Sequence, residues 1–473
     1  MVNNIAPLNS ALAKESSTKT SNSEEELPSL SSRVLPKCLE ELLPLPSEDA
    51  LAHSEKLSFL ILKTIESKVE GSISFAEYMQ LALFAPGLGY YSAGSQKFGE
   101  KGDFITAPEI SPLFSQCLAH QCYEGLSILG EEGCLLEIGA GSGQMAVDIL
   151  RELRDLKKLP KHYYILELSA ELKDRQLQTL KTQCPEMLFL VQWLDSLPSH
   201  PIKAIILANE VCDAMPVHQF SLKTSKFLED TACFEVRVSQ REGKFALTEK
   251  VPDAKLADAL DLLLVDLANT NSLHANVGDS NHTDDIIQSH AEKLKQQGLS
   301  HLQTESSYYT SEMNLNIKPW INSLSEILEA GLILIIDYGF PRHEYYHPSR
   351  YMGTLMCHYR HHAHGDPFFY PGLQDITAHV DFTLIAEAAS SAKLEVSGFT
   401  NQATFLISSG LITIAEKNKQ KGMTKPDIFK QNQAIQLLTS PAEMGELFKV
   451  MALSRNFLGA LSGFTLNDMR YRL

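Results

Sequence analysis

The sequence predicts an α/β fold with a largely parallel central sheet, and three observations support this prediction. Five apolar runs have the length of buried strands, and they lie at 135–138, 162–168, 188–195, 202–210 and 331–339. Helical stretches such as 144–156 and 169–183 separate the early runs. A glycine-rich turn follows the first run directly. Alternating strands and helices are typical of a parallel sheet, which binds ligands at the carboxyl ends of its strands.

The turn after the first strand places three glycines two residues apart: Gly139, Gly141 and Gly143 follow Glu137. Without Cβ atoms, they leave main-chain N–H groups open to a ligand at the start of the next helix. A dinucleotide fingerprint needs its third glycine one residue later, where Gln144 stands. The pattern E-x-G-x-G-x-G instead resembles motif I of class I S-adenosylmethionine (SAM) methyltransferases. It predicts that these four residues bind SAM. A tight turn without a ligand remains the alternative for this stretch alone.

Polar residues at the next two strand ends extend the predicted site. Glu167 ends the second run, where a carboxylate can hold a ribose diol, and its neighbour Leu168 is assigned to the same site. Trp193 and Asp195 end the third run, where they suit the ring face and the N6 amino group of an adenine. Each acid alone could be a solvated loop residue. Acids near the ends of all five runs favour a ligand-binding edge.

Composition excludes several classes of protein. The 473 residues carry a net charge of −17, which speaks against a nucleic-acid partner because a phosphate backbone needs a basic face. The sequence contains no run of 18 apolar residues, so no membrane span is expected. The 8 cysteines form no CxxC pairs, which favours a reducing compartment. Residues 1–50 hold acids and no apolar core, unlike a targeting segment, so a cytoplasmic location is expected.

Changes of composition along the chain predict five regions. They are a mostly disordered segment at 1–50, a helical region with a cover loop at 51–130, a core at 131–215 plus 325–412, an inserted α+β block for substrate or partner at 216–324, and a helical extension at 413–473. The long loop 85–112 is rich in Gly, Pro and aromatic residues. Asp103, Thr106 and Glu109 could close it over a cofactor, or the loop could serve only for packing.

Several segments together resemble the MidA family of SAM-dependent methyltransferases, relatives of the mitochondrial complex I assembly factor that methylates arginine. The matching segments are SFAEYMQLALFAPGLGYYS (74–92), KGDFITAPEISPLFSQ (101–116), LLEIGAGSGQMAVDIL (135–150), YYILELSAEL (163–172), ANEVCDAMPVHQF (208–220), LILIIDYGF (332–340) and GTLMCHYRHHAHGDPFFYPGLQDITAHVDF (353–382). The resemblance implies a class I methyltransferase (Rossmann-like) fold and SAM as cofactor. It also implies a protein arginine substrate, with a respiratory complex I subunit as a candidate.

The motif NE-x-x-DA-x-P follows the fourth strand, where a class I enzyme places its methyl acceptor. Glu210 and Asp213 are the candidate catalytic carboxylates, and Asn209 could hold a donor or an acceptor with its amide. Carboxylates can grip a guanidinium in a bidentate manner and concentrate electron density on the attacking nitrogen. The two acids could instead cap the next helix or pair with a nearby arginine.

The histidines of the 358–364 segment, together with His379 and Asp381, invite a metal site. Their spacing does not bring three imidazoles together, and methyl transfer from SAM needs no metal, so we expect none. The family resemblance implies a protein substrate with an exposed arginine, and a homodimer is a further possibility. The alternatives are methylation of a small molecule or another heteroatom, and a non-catalytic SAM-binding assembly factor. A nicotinamide-dependent oxidoreductase is disfavoured by the glycine spacing.

Overall fold

The computed structural model describes residues 43–93, 106–225, 232–275 and 306–473. Their strands are β1 (Ser72–Ser74), β2 (Cys134–Ile138), β3 (Tyr163–Leu166), β4 (Val191–Leu194), β5 (Ile202–Asn209), β6 (His218–Ser225), β7 (Ala232–Arg241), β8 (Lys244–Lys250), β9 (Ser306–Met313), β10 (Leu328–Phe340), β11 (Met356–Tyr359), β12 (His362–His364), β13 (Asp375–Thr377), β14 (Val380–Asp381), β15 (Glu395–Asn401) and β16 (Phe448–Arg455).

The α-helices of the same ranges are α1 (Glu48–Ser67), α2 (Phe75–Phe84), α3 (Ala107–Ile110), α4 (Pro112–Leu129), α5 (Gln144–Asp155), α6 (Ala170–Gln183), α7 (Ala254–Ala275), α8 (Ile317–Ile327), α9 (Arg342–Tyr345), α10 (Phe382–Ser391), α11 (Gln402–Ser408), α12 (Leu411–Gln420), α13 (Lys425–Thr439) and α14 (Met444–Leu447). Of these described helices, none has both the length and the apolar character needed to cross a bilayer.

The central sheet has the spatial order β4-β3-β2-β5-β10-β16-β15, and β14 pairs with the end of β10. Neighbours from β4 to β10 are parallel, whereas β16 runs antiparallel between β10 and β15. From β2 the chain moves outward to β3 and β4, and it then returns to β5 on the other side of β2. Open sheets of this kind bind ligands where the order reverses. The predicted α/β, Rossmann-like fold class is confirmed.

Alternating side chains of the strands build two cores, one on each face of the sheet. Leu135 and Leu207 are buried on the face covered by α4, α5 and α12. Leu136 and Ile206 are buried on the opposite face, under α8 and α10. The protein therefore has three layers around the sheet, and the carboxyl ends of the parallel strands share one edge.

The block between β5 and β10 forms a second, antiparallel sheet of β6 to β9. Three leucines of α7, Leu256, Leu260 and Leu263, pack with Phe220 of β6. The sheet also takes in β1 from the N-terminal region, which pairs with β7. A third sheet, β12-β11-β13, packs its Cys357 and Ile376 against α1 and α2. It brings the 353–382 segment close to the N-terminal helices.

Three expectations differ from the structure. The region 413–473 is more than a helical extension, since β16 lies inside the central sheet with its first seven residues buried. Its sequence FKVMALSR lacks strand alternation, and pairing with β10 and β15 overrides the helical preference of Met, Ala and Leu. The run at 188–195 begins as a 3₁₀ turn and is a strand only over β4. Helix α1 begins at Glu48, inside the segment expected to be mostly disordered, and residues 1–42 lie outside the described part.

Candidate functional site

The glycine loop connects β2 to α5 at the point where the strand order reverses. All three glycines have a left-handed backbone, with φ of 68° at Gly139, 52° at Gly141 and 84° at Gly143. A side chain would be strained in this conformation. A Cβ on Gly143 would also lie only 3.1 Å from the Cα of Gln176. The loop therefore needs glycine, and it leaves bare main chain at the start of α5.

A buried glutamine ties the glycine loop to two other predicted residues. Gln176 of α6 donates through Nε2 to the carbonyl oxygen of Gly141 at 3.1 Å and to Glu167 Oε2 at 3.0 Å. Its Oε1 accepts from the indole N–H of Trp193 at 2.9 Å. The second oxygen of Glu167 accepts from the Ser169 N–H at 2.9 Å. The structure thus brings Gly141, Glu167 and Trp193 together around one amide.

Gln176 is not among the site residues predicted from the sequence, although its position on an apolar helix face indicates a structural role. Leu172, Gln176 and Leu180 are the buried residues of α6, and their spacing of four marks one helix face. A glutamine on an apolar helix face needs hydrogen-bond partners inside the fold, because burying an unpaired amide is costly.

Three other predicted cofactor residues are placed differently, and a fourth cannot be compared. Glu137 is 0% exposed and accepts from the hydroxyl of Tyr163 at 2.7 Å, so it lies beneath the loop rather than in an open crevice. Asp195 is exposed and paired with Lys173, as a solvated loop residue would be. Leu168 is exposed next to Glu167. Asp103 lies outside the described residues.

The cover loop reaches the glycine loop through α3. Thr106 precedes α3 and makes no capping hydrogen bond with its side chain. Three residues further on, Glu109 accepts a hydrogen bond from the Ser142 hydroxyl in the glycine loop. Of the two cover-loop candidates that the structure describes, Glu109 is therefore the one that contacts the glycine loop.

The turn after β5 gathers the candidate catalytic residues. Glu210 has a left-handed backbone, with φ of 52°, and its N–H donates to the carbonyl of Ile336 in β10 at 2.9 Å. Its Oε1 accepts from Asn209 Nδ2 at 3.2 Å. A non-glycine residue in this conformation is uncommon, and such strain is concentrated at functional sites.

Asp337 at the end of β10 fixes this turn. Its Oδ2 accepts the backbone N–H groups of Val211, Cys212 and Asp213, at 3.2, 2.9 and 3.2 Å. Sequence reasoning noted an acid at this strand end but gave it no role. One buried carboxylate that holds three successive N–H groups determines where the Glu210 and Asp213 side chains begin.

Asp213 and Asn209 each present an oxygen with unused capacity to accept hydrogen bonds. Asp213 is 5% exposed, and its Oδ2 accepts from the hydroxyl of Tyr338 at 2.5 Å. Its Oδ1 and the Oδ1 of Asn209 are buried and accept no well-formed hydrogen bond from the described residues, although the nearby Ala214 N–H helps to lower the pKa of the Asp213 carboxyl. A buried acceptor without a donor costs about 1–3 kcal/mol. Such oxygens are expected where a ligand supplies N–H groups.

The carboxyls of this site lose protons less readily than exposed ones. Burial and the nearby Asp213 raise the pKa of Glu210 to about 8. Burial raises the pKa of Asp213 to about 6, against the opposing hydrogen bond from Tyr338. Burial likewise raises the pKa of Glu137 to about 7. The charged forms are unfavourable here, and a bound cation would favour them.

These shifts predict that folding becomes less favourable as the pH rises. Between the ordinary pKa of a glutamic acid and about 7, the folded state holds a proton on Glu137 that the unfolded state has lost, so stability falls with rising pH. We expect Glu137→Gln, which removes this buried charge, to raise the melting temperature by about 2 °C at pH 8 and to leave it unchanged at pH 4.5. Calorimetry at both pH values measures this.

The control is Glu395→Gln, which neutralises an exposed carboxyl at the start of β15. It should change the melting temperature equally little at both pH values. A Glu137→Gln protein that is destabilised more at pH 8 than at pH 4.5 would contradict the assignment of a raised pKa to Glu137.

Comparison with known proteins decides the family. The profile of an S-adenosyl-L-methionine-dependent methyltransferase family matches residues 117–400. The chain belongs to this family. A COG1565 superfamily member from Burkholderia thailandensis, crystallised with S-adenosyl-homocysteine, is 37% identical and has a TM-score of 0.74; the match covers 91% of this chain and 100% of that one. SAM is therefore the cofactor of this methyltransferase.

Curated relatives include the mitochondrial protein arginine methyltransferase NDUFAF7 of Homo sapiens, 28% identical over 82% of this chain and 81% of its own length. The Caenorhabditis elegans homolog is 25% identical over 82% of this chain and 84% of its own length. These relatives are mitochondrial proteins, and the expectation of a cytoplasmic location is therefore wrong.

The residues of this methyltransferase fit SAM. The left-handed glycine loop has no side chains at Gly139, Gly141 and Gly143, so the amino-acid part of SAM could approach its main chain closely. Glu167, held by Gln176 and the Ser169 N–H, has a fixed carboxylate of the kind that could accept hydrogen bonds from ribose hydroxyls. Trp193 presents an aromatic ring whose N–H is already satisfied.

We expect Gln176→Leu to weaken binding of S-adenosyl-homocysteine about tenfold. The leucine keeps the bulk of the side chain but releases Gly141, Glu167 and Trp193 together. Calorimetric titration measures this affinity. The control is Gln192→Leu, in which the exposed glutamine of β4 is replaced and binding should stay unchanged. Equal affinities of wild type and Gln176→Leu would show that the amide does not position the site.

The histidine-rich segment forms a β-hairpin of β11 and β12, and this hairpin does not gather its histidines around one point. His358 in β11 pairs in register with Ala363 of β12, while His361 and His362 are exposed near the hairpin turn. Burial and the nearby His364 lower the pKa of His358 to about 4, so it is neutral near pH 7. Within the described ranges, no group of three His, Cys, Asp or Glu side chains is arranged to hold a metal ion.

Proposed function

We propose that this methyltransferase transfers the methyl group of SAM to a guanidinium nitrogen of an arginine in a protein. The relatives from Homo sapiens and Caenorhabditis elegans are named protein arginine methyltransferases. The observation that supports the proposal within this chain is the acceptor-rich turn after β5, where Asp213 and Asn209 keep buried oxygens with unused acceptor capacity beside Glu210.

A guanidinium matches this turn in both charge and hydrogen bonding. It carries five N–H donors in a planar fork and stays protonated at any physiological pH. Asp213 and Glu210 are two carboxyls whose charged forms are unfavourable because of their burial in this turn. A cation between them lowers both pKa values and supplies the missing donors. A neutral acceptor would leave these costs uncompensated.

The proposed roles follow from the hydrogen bonds. When bound, SAM supplies an electrophilic methyl group on a sulfonium. Asp213, fixed by the hydroxyl of Tyr338, accepts N–H groups of the guanidinium and orients one nitrogen toward the donor. Asn209 accepts a further N–H. Glu210 accepts the proton that the nitrogen loses on methylation, because the bound guanidinium lowers the raised pKa of its carboxyl and leaves the carboxylate ionised near neutral pH.

The test uses purified protein, SAM with a labelled methyl group, and the proteins of a cell lysate. After acid hydrolysis, we expect label in methylated arginine. Label confined to methyl-lysine, or to molecules that pass a small-pore filter, would instead indicate another heteroatom or a small-molecule acceptor. Absence of transfer by protein that binds S-adenosyl-homocysteine would indicate a non-catalytic assembly factor. Each of these results would overturn the proposal.

A further inference from the structure

Two segments that the sequence analysis singled out have no role so far, and the structure joins them. Tyr91 follows α2, and Asp375 begins β13. The Tyr91 hydroxyl donates to Asp375 Oδ2 at 2.8 Å, although 284 residues separate them. The other oxygen of Asp375 accepts from the Ile376 N–H at 2.9 Å. Asp375 is 3% exposed, so its carboxyl is fixed inside the protein.

The same segment is attached to the acidic turn. The Ala378 N–H donates to the carbonyl oxygen of Asp213 at 3.0 Å, which anchors the end of β13 beside the candidate catalytic residues. Electrostatics agree with this placement. Burial and Asp213 are the larger causes of the raised pKa of Glu210, and the charge of Asp375 adds to them. After burial, Asp375 and Asp213 are the largest causes that raise the pKa of Tyr91.

We propose that Asp375, positioned by Tyr91, is a third acidic group of the acceptor pocket and determines its preference for a cationic side chain. This inference rests on the proposed arginine methylation and extends it to a residue outside the SAM-binding core. A carboxylate near two others in a buried site makes the ionisation of all three unfavourable, since like charges repel strongly where water is excluded. A guanidinium offsets this repulsion, whereas a neutral group of the same shape does not.

The experiment compares two small probes on protein saturated with S-adenosyl-homocysteine. The first is Nα-acetyl-arginine methylamide; the second is the citrulline analogue, which has nearly the same shape and no charge. Protein-observed NMR titration gives the two dissociation constants. We expect Asp375→Asn to bind the arginine probe about tenfold more weakly, with the citrulline probe and S-adenosyl-homocysteine bound as by wild type.

Tyr91→Phe provides a second variant that keeps the charge and removes only the hydrogen bond. We expect it to weaken arginine binding about threefold, less than Asp375→Asn does. Glu395→Gln, which neutralises the exposed carboxyl at the start of β15, should leave the ratio of the two dissociation constants unchanged. Thermal melts of all variants establish that they fold. If the role of Asp375 were purely structural, Asp375→Asn would weaken the binding of both probes to the same extent.

The outcomes separate this inference from the proposed function. If wild-type protein methylates arginine while Asp375→Asn keeps the wild-type ratio of arginine to citrulline binding, only the inference is overturned. If wild-type protein methylates no arginine, the proposed function fails and the inference fails with it. Should Asp375→Asn not fold, an unchanged ratio in Tyr91→Phe would still overturn the inference.

Discussion

Asp213→Asn is expected to lower kcat for methylation of protein arginine by 100-fold or more, which corresponds to about 2.7 kcal/mol of transition-state stabilisation. The asparagine is nearly isosteric and can still accept the hydrogen bond from Tyr338. Its NH₂ group would then occupy the position of the buried Oδ1, which has unused acceptor capacity in the wild type. The variant would face the guanidinium with donors instead of acceptors and would lack the negative charge.

Rates are measured with labelled SAM and lysate proteins, and the affinity for S-adenosyl-homocysteine is measured by calorimetry. We expect that affinity to stay within twofold of wild type, because Asp213 is absent from the hydrogen bonds that link the glycine loop, Glu167 and Gln176. Tyr338→Phe, which keeps the carboxylate but frees it to rotate, should lower kcat by about tenfold. An unchanged kcat in Asp213→Asn would remove this residue from the catalytic site.

Gly141→Val is expected to reduce affinity for SAM and S-adenosyl-homocysteine by about 100-fold, from micromolar to the order of 0.1 mM. The φ of 52° at this residue is unfavourable for a β-branched side chain, and its carbonyl oxygen is one of the groups that Gln176 holds. The valine would both strain the loop and fill the space predicted for the amino-acid part of the cofactor.

Gly243→Val is the control that separates the effect of backbone strain from the loss of cofactor binding. Gly243 has a φ of 78° in the turn between β7 and β8, and a Cβ there would meet no atom within 4 Å. This variant should lose stability in a thermal melt but bind S-adenosyl-homocysteine as wild type does. If Gly141→Val bound the ligand with unchanged affinity, the cofactor site would have to lie elsewhere.

The predictable parts of the site are those built from neighbours in sequence. The glycine loop could be identified because β2, the turn and α5 follow one another within a short segment, and the left-handed backbone at Gly139, Gly141 and Gly143 requires this residue type. The residues at the strand ends could be assigned to one edge of the sheet, because the carboxyl ends of parallel strands lie side by side. Side-chain direction could not be read in this way: Glu137 precedes the loop, yet it points to Tyr163 beneath it.

The remaining parts of the site depend on contacts between distant residues. Asp195 looked like an adenine partner by position, but Lys173 of α6 is close enough to pair with it at the surface. Conversely, nothing in the local sequence of α6 said which groups Gln176 would join. A strand such as β16 likewise forms because two partner strands are available, and local propensity does not reveal them.

By itself, the sequence determined the alternating strands and helices, the bare main chain at the glycine loop, and the acids that end the strands, since each depends on residues within a few positions of one another. Only the tertiary structure decided which acids share a site. Tyr338 lies 125 residues after Asp213, and Asp337 caps the same turn from a neighbouring strand. The physical reason is that hydrogen bonds and electrostatic repulsion depend on distances in space, which folding sets independently of separation along the chain.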